Sequence, residues 1–542
     1  MKRNKIALAG LGLLVVGALA LAGCSSKSGG GDATASAGGN SKAIVTANGT
    51  EPENPLLPAN TNEVGGGRIL DSLFAGLAYY DAKGKLVNDM AEEIKVDDAS
   101  NLTIKLKQGN TFSNGEKVTA DSFINAWQYG AKFSNKQLNS SWFSDIEGFS
   151  ADADSELTGL KKIDDNSFSI KLSSPVAADF ASRLGYSAYY PLPAAGLKDM
   201  AAFGEAPIGN GPYKLANDKA WQHKVQIDLV KNDTYKGARQ PKNGGLTFVF
   251  YASEDAGYAD LQAGKLDVMD NVPATALQTF ESDLGDRAVN QPAAIFQSFS
   301  IPGNAEHFTG DEGKLRREAI SMAIDRAAIT KTVFNNTRTP ASDFTSPVVA
   351  GWSDSVKGSD VLKFDAKKAK ELWAEADKIS PWSGTFQIAY NSDSSHQPWV
   401  DAVSNQLKNN LGIDASGNPY VDFASLRKDV NDRVIKTAFR TGWQADYPSQ
   451  YNFLQPIYGT KASSNDTDYS NPEFDKLLAS GAAASDQAAA LADYKKAQEI
   501  LFEDMPAIPL WYNNVTGGYG KDVSNVVFGW NSVPLYYNIT KG

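Results

Sequence analysis

Cysteine is all but missing: the 542 residues hold one, Cys24. A single thiol excludes an intramolecular disulfide, so the fold must rest on buried apolar surface alone. Histidine is nearly as scarce. His223, His307 and His396 are far apart in sequence, and with Cys24 they give no ligand spacing for a zinc or other transition-metal site. Positive charge is also in deficit, with 52 Lys and Arg against 63 Asp and Glu, a formal net charge of −11. That balance argues against nucleic acid as a partner and against a polybasic membrane-binding surface. Enzyme signatures are absent too: no H-E-x-x-H, no Walker loop and no G-x-S-x-G elbow occurs. Ser425-Leu-Arg-Lys428 matches S-x-x-K, but neither S-D-N nor K-T-G accompanies it, so it reads as a solvated helix face. No repeat of solenoid period is present.

The N-terminus is where charge disappears over a long run. Lys2, Arg3 and Lys5 precede Ile6–Gly23, which carries no charged residue. A basic start, an apolar stretch and small residues before a break are the marks of a secretory signal. The stretch is barely long enough to span a bilayer, is rich in Ala and Gly, and lacks a basic stop-transfer flank. It ends in Leu21-Ala-Gly-Cys24, which resembles the bacterial lipoprotein box, where cleavage precedes a lipid-modified cysteine. Two or more acyl chains hold a protein to a membrane lastingly, whereas one is marginal. Residues 24–42, mostly Ser, Gly, Ala and Thr, then read as a flexible tether. Loss of the leader with its three basic residues would bring the net charge near −14.

About 500 residues follow the tether, enough for two or three domains with proper cores. Strand and helix patterns alternate along them, which predicts an α/β or α+β architecture. Leu102, Ile104 and Leu106 alternate with polar residues, as in a half-buried strand. Thr119 is placed to cap a helix through Lys132 with Phe123, Trp127 and Gly130 on one face. Asp365 is placed to cap another through Lys378, with Ala369, Leu372, Trp373 and Ala376 inward. Pro398 suits the first position of a third helix that ends at Gly412. Gly245–Tyr251 and Ala507–Tyr512 read as strands. Gly65-Gly66-Gly67 reads as a flexible turn or a close approach of backbone to ligand.

What the sequence has in quantity is aromatics: 10 Trp, 21 Tyr and 25 Phe. The stretch from Arg440 to Leu454 sets a cation, an anion and several aromatics around a turn at Pro448. On pattern alone it is either the lining of a site for a polar-ended ligand or a surface turn with a salt bridge. Within it, G-W-x-A-D-Y at Gly442–Tyr447 resembles the oligopeptide- and dipeptide-binding proteins of bacterial ABC importers, the solute-binding protein family 5. Four further segments, in the family's order, are similar: Leu106–Phe123, Gly209–Leu215, Lys314–Arg326 and Met505–Tyr512. Together they span nearly all of Ala43–Gly542.

The resemblance implies an α/β, periplasmic-binding-protein type II-like fold, with two hinged lobes and an extra domain inserted in the N-terminal lobe. By analogy lobe I is residues 43–80, 192–290 and 509–542, the inserted domain 81–191, and lobe II 291–508. It further implies that short peptides lie extended between the lobes. Asp446 would then pair with the peptide α-ammonium and Arg440 with its carboxylate. His396 falls where family members present a histidine to that carboxylate, or is an exposed capping-loop residue. Trp443 lies along the peptide's path or packs in the core. The partners implied are peptides, a permease and ATPase complex, and the membrane through lipidated Cys24 on the outer face of the cytoplasmic membrane. The chain would be monomeric, non-enzymatic, and free of cofactor and metal. An oligosaccharide or another small solute as ligand, and a surface lipoprotein peptidase, remain as alternatives. Ser449 stands where many relatives carry another acidic residue, and residues 135–154 match no family segment, which leaves pocket size open.

Overall fold

The computed structural model describes residues 41–542 except 53, 393–395, 422, 463 and 485. These lie in the second of the chain's two compact units, Met1–Gly38 and Gly39–Gly542. The predicted leader, Cys24 as the expected lipid anchor, and nearly all of the expected tether fall outside the described residues.

Two long strands, Ala288–Ser300 and Ala507–Tyr519, run antiparallel and are shared by both lobes. On the first side, Ala507–Tyr519 adjoins Val268–Met269, which is followed by Ile44–Gly49, Gly245–Phe250, Gln226–Lys231 and Tyr213–Leu215. On the second side, Ala288–Ser300 adjoins Ala438–Gln444, then Thr385–Asn391 and Asp414–Tyr420. The pairing of the two long strands breaks between Pro292 and Phe296, opposite Asn514 and Tyr512. Proline supplies no N–H to the ladder, so the break falls where the sequence cannot sustain it. Ala294 instead donates to Trp530 O and accepts from Ala445 N, so the crossing is held from both sides.

A separate sheet in the order Ala91–Asp98, Asn101–Leu106, Ser167–Lys171, Leu160–Asp164 forms the extra domain. Its inward Leu102, Ile104, Phe168 and Ile170 belong to one apolar core with Val45, Leu70 and Phe248 of the first lobe. The second lobe has its own core around Phe299, Ile320 and Trp399, to which Trp511 of the shared strand contributes.

The expected helices form with their caps. Ala120–Ala131 starts at Thr119, whose N–H donates to the Ser122 hydroxyl. Gly130 is required there, because a Cβ would meet Phe143 at 2.7 Å and Ala59 at 2.8 Å. Ala366–Ile379 is capped by the Asp365 carboxylate and buries Ala369, Leu372, Trp373 and Ala376. Gln397–Leu411 begins one residue before Pro398 and ends at Gly412 with φ 76°. The strand expected at Ala507–Tyr512 runs on to Tyr519. Ser425–Lys428 lies on the helix Phe423–Asn431, with Lys428 exposed and paired to Asp432.

One buried group makes stability depend on pH. Asp343 is fully buried in the second lobe and accepts from Thr345, Ser353 and Gln498, none of them cationic. Burial pushes its carboxyl from 3.8 up to about 6, against those hydrogen bonds. The native state therefore holds the proton more tightly than the unfolded chain. Its stability contribution is complete below the ordinary carboxylate range and is lost as pH rises through about 6. The charge costs roughly 3 kcal/mol at neutral pH. Asp343→Asn is expected to flatten this step in unfolding free energy measured by denaturant between pH 4 and 8. An unchanged profile would show that the group titrates normally.

Candidate functional site

The first wall of the cleft is built by the helix Val64–Leu73. Glu63 caps it, its carboxylate accepting from Gly66 N at 2.8 and 2.9 Å. Gly65-Gly66-Gly67 is thus the first helical turn, not a flexible turn. A Cβ on Gly65 would come within 2.2 Å of Thr50 Oγ1, and one on Gly66 within 2.4 Å of Glu63 Oε1. Gly67 has open space beside it and lines a cavity. One turn further on, Arg68 and Asp71 share a helix face. Arg68 pairs with Asp270 at 2.7 Å, both nearly buried, and donates to Asn48 O at 3.0 Å, so its charge is neutralised within the first lobe. Asp71 accepts from the Tyr190 hydroxyl at 2.6 Å. Burial raises its pKa, while the Tyr190 bond and nearby Arg239 oppose the rise.

The facing wall comes from the second lobe, where Ala438–Gln444 ends and the chain turns into the helix Gln450–Tyr458. A single side chain fixes this turn. Asn452 is buried; its Oδ1 accepts from Asp446 N at 2.9 Å and from Trp443 Nε1 at 3.2 Å. Its Nδ2 donates to Asp446 Oδ2 at 3.1 Å. Asp446 makes no ion pair among the described residues. It is exposed in the cavity wall, yet the surrounding protein removes enough water to raise its pKa, with the Asn452 bond opposing. Tyr447, the next residue, donates to Asp179 of the extra domain at 3.0 Å, and Asp179 is itself paired with Arg183.

Between the walls lie two adjacent cavities of about 270 and 880 Å³. They share Val64, Arg68, Gln444 and Asn531 in their linings. Asp446 stands in the smaller with Asp71, Tyr186 and Trp530. Tyr186 stacks on Trp142 at 4.0 Å, so the unmatched segment 135–154 does support the pocket wall. Its hydroxyl is pushed well up by burial first, then by the charges of Asp446 and Asp71.

The other predicted residues are distributed differently. Arg440 donates from Nε to Asn391 Oδ1 at 2.8 Å and, with the half-buried Trp443, lines another cavity of about 190 Å³ beside Arg427 and Asp466. His396 precedes the first turn of Gln397–Leu411 and accepts from Trp399 Nε1 at 3.1 Å through Nδ1. Pro398, two residues on, lines the larger cavity. The structure therefore joins Trp443 to Asp446 through Asn452, while Arg440 opens on different space.

Sequence reasoning missed Asn452, Tyr186, Arg68 and Arg338, the last of which lines the larger cavity. Conversely, several motif residues serve as scaffold. Asn210 brackets Ala75 through its N–H at 3.0 Å and its carbonyl at 2.9 Å. Arg326 is buried and donates to the carbonyls of Pro509, Ser321 and Leu362. Among the described residues no cluster of His, Cys, Asp or Glu is arranged to hold a metal, and no helix is long and apolar enough to cross a membrane.

Comparison with known proteins gives the same architecture. The profile of the bacterial extracellular solute-binding proteins, family 5 Middle, matches residues 85–465. The oligopeptide-binding protein OppA of Bacillus subtilis (strain 168) is 27% identical over 505 residues, covering 88% of this chain and 89% of OppA. The dipeptide-binding protein DppE of the same organism is 28% identical over 553 residues, covering 97% of each. Among solved structures, the unliganded open form of the periplasmic murein tripeptide binding protein MppA matches with a TM-score of 0.82 at 23% identity. That match covers 93% of this chain and 98% of MppA.

Proposed function

Because the chain belongs to the bacterial extracellular solute-binding proteins of family 5, we propose that it captures short peptides between its lobes and delivers them to a membrane permease and its ATPase. The observation that carries the proposal is Asp446: a carboxylate in the cleft wall, fixed by an amide and without a cation of its own among the described residues. A ligand α-ammonium supplies the missing countercharge, and closure of the lobes around the pair strengthens it by excluding water. An oligosaccharide offers no such charge and would leave Asp446 desolvated and unpaired.

In this proposal Asp446 takes the peptide's amino end and Trp443 flanks its path. Arg440 and His396 receive the carboxylate of peptides that reach past the turn. The lobes and inserted domain have the boundaries implied by the family resemblance. The chain acts as a monomer, performs no chemistry on its ligand, and is anchored to the outer face of the cytoplasmic membrane through lipidated Cys24.

One preparation tests the anchor and the ligand together. Cys24→Ser protein is expected in the soluble fraction, whereas the parent sediments with membranes. Native mass spectrometry of the soluble form should then reveal added masses that fragment as short peptides and that remain intact on incubation. A bound sugar mass would overturn the peptide assignment. Soluble parent protein would overturn the anchor.

A further inference from the structure

We propose that Arg338 is the countercharge for a ligand carboxylate in the larger cavity of the cleft. The proposal rests on the peptide reading above and extends it to a residue outside the family motifs.

Arg338 opens the short strand Arg338–Pro340, which pairs with the crossing strand in the register Arg338 to Asn513. It lines the 880 Å³ cavity with Asn513, Asn514, Thr337 and Phe334. Its guanidinium lies 5.1 Å from the Phe334 ring centroid, and Phe334 packs edge-on against buried Trp511. That platform fixes the direction of the fork. Yet among the described residues only one of its nitrogens has an acceptor: Nη1 donates to Thr337 O at 2.7 Å. Nε is buried without an acceptor there, and Oδ1 of Asn513, its register partner on the crossing strand, is buried without a donor.

No carboxylate lies within ion-pair distance of Arg338 among the described residues. Burial pushes its pKa down to about 10, and no acidic group among the described residues offsets that shift. The contrast with Arg68, the other arginine of this cavity, is direct, because Arg68 is matched by Asp270 at 2.7 Å. A desolvated cation without a partner is costly, and a binding cleft is where that cost is recovered when ligand arrives. The planar fork selects a carboxylate over other acceptors, since two parallel N–H···O bonds match its geometry. Asp446 in the smaller cavity and Arg338 in the larger then offer a carboxylate and a guanidinium in adjacent cavities, which suits a zwitterion, with the Glu254 carboxylate also on the larger cavity's wall. The carboxylate is either the peptide's C-terminus or an acidic side chain.

The probes are a pool of free tripeptides to pentapeptides, the same pool C-terminally amidated, and an amidated pool in which each peptide carries one glutamate. Each is titrated calorimetrically against the parent protein, Arg338→Gln, Arg338→Lys and Arg440→Gln. For the parent, amidation is expected to weaken binding by about tenfold or more. Arg338→Gln should bind free and amidated pools alike, and Arg338→Lys should fall between. Recovery of affinity by the glutamate pool in the parent but not in Arg338→Gln would assign the carboxylate to a side chain. A retained penalty for N-terminal acetylation shows that the variant cleft is folded. An undiminished amidation penalty in Arg338→Gln, above all with its loss in Arg440→Gln, would overturn the proposal. Failure of the parent to bind any free peptide would overturn the peptide reading itself, and this assignment with it.

Discussion

Asp446→Asn is expected to weaken binding of peptides with a free amino terminus by at least about tenfold, and by on the order of a hundredfold where closure dries the site. The substitution keeps the shape of the side chain and its contact with Asn452, so it removes charge and little else. The unliganded protein should be as stable as the parent or slightly more so, because the carboxylate is disfavoured by its surroundings before ligand binds. Acetylation separates the mechanism from a general loss of fit. The parent should lose affinity when the peptide's amino end is acetylated, whereas Asp446→Asn should scarcely distinguish the two forms. The pH dependence has a definite sign. With its pKa raised, Asp446 takes up a proton before an ordinary aspartate does, so affinity should fall on acidification from a higher pH than usual. Equal binding of acetylated and free peptides by the parent would end the role given to Asp446.

The second large effect concerns stability. Asp89 is fully buried, accepts from the Tyr235 hydroxyl at 2.7 Å, and pairs with Arg239 Nε at 3.1 Å. Arg239 also donates to the carbonyls of Asp71 and Phe74, so it ties the cleft helix to the extra domain's first strand region. Asp89→Ala leaves that buried guanidinium without its ion-pair partner, and about 3–5 kcal/mol of unfolding free energy should be lost. Replacing both partners, with Arg239→Met added, should restore much of the loss, since the uncompensated charge is then gone. Denaturant unfolding of the four proteins measures the coupling. A loss below about 1 kcal/mol in Asp89→Ala would mean that water reaches the pair.

Helix ends were legible because their signals are local. Thr119, Asp365 and Gly412 act within a few residues of themselves, and the structure uses them as caps. Inward faces followed from the same short spacing. The crossing strands were harder, since the break at Pro292 depends on pairing with Asn514, more than two hundred residues away. For the Gly65–Gly67 run, read as a flexible turn or as a close approach of backbone to ligand, the flexible turn does not form. Glycine disfavours helix, but here Thr50 and Glu63 crowd the side-chain positions of Gly65 and Gly66, and Glu63 caps the helical turn. In the cleft, Asp446 stood out beside an aromatic cluster. Asn452 was in the same stretch, but its three bonds depend on how the chain folds back after Ser449. Arg338 carries no sequence signal at all: what distinguishes it is that no carboxylate lies within ion-pair distance among the described residues.

The order of strands in the first sheet also bears on how the protein is made. Ile44–Gly49 is the first strand among the described residues, yet it lies between Gly245–Phe250 and Val268–Met269, the latter adjoining the last long strand, Ala507–Tyr519. The final residues close the same region: Lys541 pairs with Asp267 at 2.7 Å, and Asn243 donates to Tyr536 O and Ile539 O at 2.9 Å. Contacts of such sequence separation form late, because the chain must close its longest loops before they reward it. The first lobe therefore has no finished core while its C-terminus is still on the ribosome. The contacts of Tyr536, Ile539 and Lys541 are therefore among the last to complete that core.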